Sequence, residues 1–310
     1  EPAHLKAGKN TFSIELSGLV DIVKKMLSER ENFQTGLKAN EEKAMREILK
    51  IGTSAGGARP KALIAFNSKT GDIRSGQTKA PKGFEHWLVK LDGVSGVQFG
   101  DSHGWGNVEY AYYLMAKECG INMMECRLLS ENGRNHFMTK RFDREGDDTK
   151  HHVQTLCALQ HFDYNDMFGY SYEQVFQTMR VLRLKYPEAE QMFRRMVFNV
   201  LATNYDDHTK NFGFILKKGG SWKLAPAYDV CYSYNPDNHW LNQQTLSING
   251  KRQHIMKKDL MTIAKINNIK KGEAIIDEIN KTVKSWSDFA TQAKVSKEKH
   301  EVIKGNLNTL

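Results

Sequence analysis

The sequence predicts an α+β fold in two lobes, a β-rich N-terminal lobe over residues 1–143 and a helical C-terminal lobe over 144–310. Three observations predict it. Apolar residues between 62 and 142 fall in short runs of strand length, the period becomes helical from His151 onward, and a polar stretch near residue 143 separates the two patterns. A length of 310 residues accommodates such a pair at roughly 100–200 residues per domain. The 40% hydrophobic and 10% aromatic content excludes a disordered chain, and Gly 24 with Pro 6 excludes a collagen-like one.

The elements follow in order. Phe12, Ile14, Leu16, Leu19, Ile22, Val23 and Met26 make a helical stripe over 12–30, and Asn40 to Lys50 reads as a second short helix. Three glycines between Gly52 and Gly57 then break regular structure. Strand signals come at Ala62 to Asn67, Trp87 to Leu91, Glu125 to Leu129 and His136 to Phe142, with one helix, Asn107 to Cys119, among them. Beyond the junction, helices are predicted over His152–Gln160, Tyr172–Leu184 and Glu188–Thr203, the last with Pro187 suited to a first turn. A hairpin, Phe212–Leu216 and Trp222–Leu224 joined by KKGGS, interrupts them, and lysine-rich helices run from about Lys257 to the end.

No apolar run approaches the ~18–20 residues that span a bilayer, and the opening residues lack the order of a signal peptide, so a soluble, cytoplasmic protein is expected. Cys119, Cys126, Cys157 and Cys231 include no C-x-x-C pair and read as reduced, buried thiols. The net charge of +9 is polarised: residues 251–310 carry thirteen Lys and Arg against seven Asp and Glu. Such a surface suits nucleic acid, an acidic partner or simple solvation.

The densest polar cluster is NVLATNYDDHTKNFGFIL, between an apolar helix and a strand, where both ends of a loop are held. Asp206 and Asn211 stand five apart with His208 and Lys210 between them, and Asp229 follows the hairpin in APAYDVCY. Phosphoryl transfer needs an acid to orient the attacking hydroxyl and oxygen ligands for magnesium. The spacing D-x-x-x-x-N, then a hairpin, then Asp is the order of a kinase catalytic loop and metal-binding Asp. The alternative is a structural loop in which these side chains cap turns.

Lys90 ends a strand in HWLVK and suits the α/β-phosphates, with Glu109 on the nearby helix as its candidate partner. An exposed strand-end lysine is the competing reading. The run IGTSAGGARPK is neither a Walker A loop nor G-x-G-x-x-G, but its amides around Ala55, Gly56 and Gly57 could form an anion-binding nest, with Ser54 placed where phosphorylation would repel a nucleotide. FMTKRFDR is the crossing between lobes, so the Lys140 backbone, Phe142 and Asp143 are candidates for holding adenosine, against a plain solvated strand end. No H-E-x-x-H, G-x-S-x-G or Cys/His nucleophile signature occurs.

Taken together, TSAGGARPK, HWLVKLDG, NVEYAYYLMAKECGI, RFDR, NYDDHTKNFGF, LAPAYDV and LSINGKR resemble, in order and spacing over about 48–265, the HipA family of Ser/Thr protein kinases, toxin components of bacterial HipBA-type toxin–antitoxin modules. The resemblance implies a two-lobed protein-kinase-like fold using ATP and Mg. It implies Asp206 as catalytic base, Asn211 and Asp229 as magnesium ligands, and Lys90 on ATP phosphate. Phe142 and Asp143 would hold adenosine, His208 and Lys210 line the nucleotide site, and Ser54 be the serine whose autophosphorylation inactivates the kinase. The implied role is a growth-inhibiting toxin that phosphorylates an aminoacyl-tRNA synthetase, partnered by a helix-turn-helix antitoxin of HipB type and touching DNA only through it.

Two features depart from the family. About fifty residues precede the glycine-rich loop where members usually carry a longer subdomain, so a fragment, processing or a separate small protein replacing that region is expected. Lys140 also stands where an acidic residue is common. Two further readings compete: a non-catalytic co-repressor of a DNA-binding antitoxin, and a small-molecule phosphotransferase.

Overall fold

Short apolar runs punctuated by turn residues cannot bury themselves alone and must pair, and in the computed structural model they do. The structure describes residue 59 and residues 61–76, 79–95, 98–99, 103–146, 149–166 and 168–310. These fall into two compact units, one containing residues up to Asn107 with Glu125–Thr149, the other Val108–Met124 with Lys150–Leu310.

The first unit is built on a five-stranded antiparallel sheet. Its strands are β1 (Lys61–Phe66), β2 (Ile73–Ser75), β3 (Glu85–Lys90), β4 (Cys126–Glu131) and β5 (Arg134–Lys140), in the order β2-β1-β3-β5-β4. The register sets Ile64 against Trp87 and Lys90 against Phe137, so Ala62, Ile64, Trp87, Val89 and Met138 are buried together. Asn132 and Gly133 join β4 to β5, both at positive φ, as a two-residue type I′ hairpin requires. β2 was not expected; three residues are too few for an apolar alternation to show.

Helix α1 (Trp105–Glu118) starts in this unit and continues into the other. The buried Asp92 carboxylate accepts from the Gly104 and Trp105 amides, at 3.2 and 3.3 Å, satisfying N–H groups that a helix start leaves open. Gly106 packs so tightly on β5 that an added Cβ would lie 1.9 Å from the Asn135 carbonyl oxygen, which is why no side chain fits there.

The second unit is helical around α4. Its helices are α2 (Leu156–Leu159), α3 (Tyr172–Val181), α4 (Tyr186–Leu201), α5 (Lys257–Ile266), α6 (Gly272–Lys284), α7 (Trp286–Gln292) and α8 (Lys297–Asn306). A reciprocal Ser171/Gln174 capping box starts α3. Pro187 lies in the first turn of α4, where the Lys185 amide donates to Glu188 at 3.0 Å. Met192, Phe193, Met196, Val197, Phe198 and Leu201 of α4 are buried, and Tyr112 of α1 reaches in to donate its hydroxyl to Ala202 at 2.6 Å.

One expected helix is corrected. His152–Thr155 is a strand, β6, not the first turn of a helix over His152–Gln160; it pairs antiparallel with β7 (Gly213–Leu216), which pairs with β8 (Trp222–Leu224). Only Leu156–Leu159 is helical, capped by the Thr155 side chain. Tertiary pairing to a strand about sixty residues away overrides a short apolar run that fits either period. Among the described residues no helix is long and apolar enough to cross a membrane. Cys119, Cys126, Cys157 and Cys231 are free thiols, and burial pushes Cys119 up to about 12.

Candidate active site

The end of α4 delivers the chain into a loop whose backbone is bracketed on both sides. The Tyr205 amide donates to the Ser233 carbonyl at 3.2 Å, and its carbonyl accepts from the Thr245 amide at 3.2 Å and the Thr245 hydroxyl at 2.9 Å. Held in this extended state, neighbouring side chains point opposite ways. Asp207 therefore turns inward and is 1% exposed, while the Asp206 side chain is 46% exposed.

Asp207 is the anchor. Its Oδ1 accepts from the Thr245 and Leu246 amides at 2.8 and 3.3 Å, and its Oδ2 from the Tyr172 hydroxyl at 2.8 Å. Asn199 of α4 donates to the Tyr172 oxygen at 2.9 Å and accepts from Asn204 at 3.0 Å, closing a buried polar network beneath the loop. Burial pushes the Asp207 carboxyl up to about 7 against these hydrogen bonds, and pushes the Tyr172 phenol up.

Asp206 and Asn211 come together through the backbone: the Asn211 Nδ2 donates to the Asp206 carbonyl at 2.7 Å. This commits the amide nitrogen and leaves the amide oxygen as the group that can face a hard cation. His208 caps the 3₁₀ turn Thr209–Asn211, its Nδ1 accepting from the Lys210 amide at 3.3 Å. The ring proton is then on Nε2, 3.5 Å from Asp206 Oδ1. The Lys210 ammonium lies 3.3 Å from the centre of the Tyr164 ring, whose edge-to-face partner is His208.

Asp229 is brought to the same loop from across the hairpin. The Tyr228 hydroxyl donates to the Lys210 carbonyl at 2.8 Å, and the ring packs where Gly213 has no side chain, an added Cβ there meeting it at 3.1 Å. Asp229 itself sits at φ 56°, a left-handed conformation that Asp tolerates better than most residues. Asn211 and Asp229 line one pocket with Asp207, Arg195 and Asn204, while Asp206 and His208 line a neighbouring one with Tyr164, Tyr170, Trp240 and Thr245. Arg195 of α4 donates to the Ala225 carbonyl at 2.7 Å and is pushed down to about 10 by burial. Two buried polar atoms of the Asn211/Asp229 pocket, Arg195 Nε and Asn204 Oδ1, have no protein partner. Of these, only the Asn204 oxygen can face a cation; with the Asn211 amide oxygen and the Asp229 carboxylate it makes an oxygen donor set that magnesium accepts, whereas the Arg195 N–H suits an anionic group.

The remaining expected residues divide by unit. In the first, Lys90 is 3% exposed with its ammonium 5.8 Å from the Phe137 ring centre, so an exposed strand-end lysine is excluded. The Lys140 amide, expected to be available at the crossing, donates to the Glu125 carbonyl at 2.9 Å, and its ammonium pairs with Glu85 at 2.5 Å. Asp143 is clamped by Arg141 at 2.6 Å and Arg144 at 2.5 Å; burial raises its carboxyl, but the two guanidiniums outweigh it and hold it below the usual range. Phe142 is half-buried beside it. Glu109 is buried on α1 in the second unit. Ser54, Ala55, Gly56 and Gly57 lie outside the described residues.

Sequence reasoning missed Asp207, Tyr172, Asn199, Arg195 and Tyr228. The available signals were Arg195 and Asn199, four apart within the apolar stripe of α4, and the doubled aspartate itself.

A protein of Haemophilus influenzae named "Putative kinase" is 29% identical over 185 residues, which are 55% of this chain and 52% of that protein; the chain thus spans about half the length of this curated relative. The HipA of Shewanella oneidensis MR-1, solved with HipB and its operator DNA, superposes with a TM-score of 0.67 at 15% identity, covering 98% of this chain and 71% of that one. The expected α+β, kinase-like fold is thereby the fold of HipA. The family described as HipA-like C-terminal domain matches residues 53–287, and the chain belongs to that family.

Proposed function

We propose that the protein is an ATP- and magnesium-dependent Ser/Thr kinase whose chemistry centres on the 203–211 loop. The observation that carries this is the pairing of Asn211 with the Asp206 backbone, in a loop that also draws Asp229 in through Tyr228. Asp206 orients and accepts the proton of an attacking hydroxyl, a role suited to a carboxylate that is half-exposed and faced by the His208 ring. Asn211 and Asp229 would hold magnesium, which would supply charge neutralisation at the phosphates of ATP. Lys90 takes the phosphate contact that the family resemblance implies, and Glu109 its pairing role. His208 and Lys210 border the nucleotide.

On this reading the protein is the toxin of a toxin–antitoxin module; the HipB bound to the similar Shewanella HipA supports an antitoxin of HipB type as partner, and an aminoacyl-tRNA synthetase is the substrate that the family resemblance implies. Ser54 is the autophosphorylation site. The test is incubation of the full chain with γ-labelled ATP and magnesium, followed by mass-spectrometric mapping. Label on Ser54 and on a cellular protein, lost in Asp229→Asn, is expected; an unlabelled chain and proteome would refute the reading.

A further inference from the structure

We propose that residues 306–308 form a strap that positions the Asp206 loop for phosphoryl transfer, with Asn308 as its positioning residue. The inference rests on the kinase reading above but on different contacts. Asn308 follows the end of α8, and its amide donates to the Leu201 carbonyl at 3.0 Å, at the last turn of α4. Its side-chain Nδ2 donates to the Val200 carbonyl at 3.0 Å and to the Tyr205 hydroxyl at 2.9 Å. Tyr205 directly precedes Asp206, and its ring stacks edge-to-face on Tyr234 at 5.3 Å.

A second contact lies two residues earlier on both segments. Thr203 adopts φ 55°, a left-handed conformation that a β-branched residue resists. Its hydroxyl donates to the Asn306 carbonyl at 2.7 Å, and its own carbonyl accepts from the Ser233 amide at 3.1 Å. Such a conformation persists only where its surroundings over-determine it, and here the strap supplies part of that restraint. The Asn306 side chain donates to the Val302 carbonyl of α8 at 2.7 Å, which fixes the segment to the helix it leaves. One short segment thus holds both Thr203 and Tyr205, on the approach to Asp206. The segment is itself fixed, since Leu310 exchanges hydrogen bonds with Asn280 at 2.9 and 2.8 Å.

These bonds fix the loop's entry and not its depth, which Asp207 sets. Loss of the strap therefore loosens Asp206 without dismantling the pocket of Asn211 and Asp229. The experiment compares the full chain with Asn308→Ala, Tyr205→Phe and their double variant. Asn308→Ala is expected to lower kcat for transfer from ATP about ten- to a hundredfold, as small misplacements of a reacting group do, with ATP affinity unchanged. The double variant should lose less than the product of the two single losses, because both remove one hydrogen bond. Amide hydrogen exchange at 203–211 should accelerate in Asn308→Ala while that of β1 stays as in the parent. Unaltered exchange at 203–211 would overturn the strap whether or not the parent is active, and so would a fall in kcat matched by an equal fall in ATP affinity. A parent without transfer would instead refute the kinase reading, leaving exchange to decide the strap.

Discussion

The 203–211 loop and the 249–259 turn each bury an aspartate, and they do so by opposite means. Asp207 accepts its hydrogen bonds from neutral donors, two amides and a phenol, and burial pushes it up to about 7. Asp259 is equally buried, yet it meets the Lys251 ammonium, the Asn249 amide and the Met256 backbone, each at 2.9 Å. Burial again raises the carboxyl, but these partners outweigh it and bring it down to about 2. Arg252 sits in the same turn and gives its N–H groups to the carbonyls of Thr245, Phe168 and Tyr170, neutral oxygens rather than Asp207. Depth of burial and a cation hydrogen-bonded directly to the carboxylate together decide whether it is a permanent charge or one that titrates near neutrality. The turn serves as a fixed clasp, whereas the loop that carries Asp206 and Asn211 is held by a neutral or weakly charged node.

Breaking the clasp should have the larger effect on stability. Asp259→Ala removes three hydrogen bonds at once, one of them a helix cap, and is expected to cost about 3 kcal/mol by chemical denaturation at pH 7. Because the folded-state pKa of Asp259 is depressed, its contribution is full above pH 4 and fades as pH falls toward 2, so parent and variant should converge in acid. Asp207 has the opposite sign. Its folded-state pKa is raised, so stability is fullest below pH 4 and declines as pH rises toward 7. Asp207→Asn should remove that slope, flattening the stability profile by about 2 kcal/mol between pH 5 and 7. A slope that survives the substitution would show that Asp207 is not the group responsible. The smallest effect is expected of Tyr172→Phe. Losing one donor to Asp207 should cost about 1 kcal/mol and move the slope to higher pH, since the charged carboxylate loses a partner.

The same contrast explains what the sequence made legible. Elements defined by contiguous pattern were readable: β1, β3, α1 and α4 lie within two residues of their expected bounds, and the spacing that singles out Asp206 and Asn211 corresponds to a hydrogen bond between them. The Asn132-Gly133 pair was an equally legible hairpin signal that the strand reading did not use. What spacing could not reveal depends on distant partners. His152–Thr155 became a strand because Gly213–Leu216 lies beside it. Asp207 looked interchangeable with Asp206 until Tyr172 and Thr245, 35 and 38 residues away, distinguished them. Asn308 meets Tyr205 across 103 residues, with no local pattern to announce it.

The central claim, that the outward aspartate performs chemistry while the inward one holds the loop, is tested most directly by single-turnover transfer from ATP in Asp206→Asn. The account predicts a loss of at least about 10²-fold, the scale of a removed general base, with ATP affinity and thermal stability kept. Transfer at the parental rate in Asp206→Asn would contradict it.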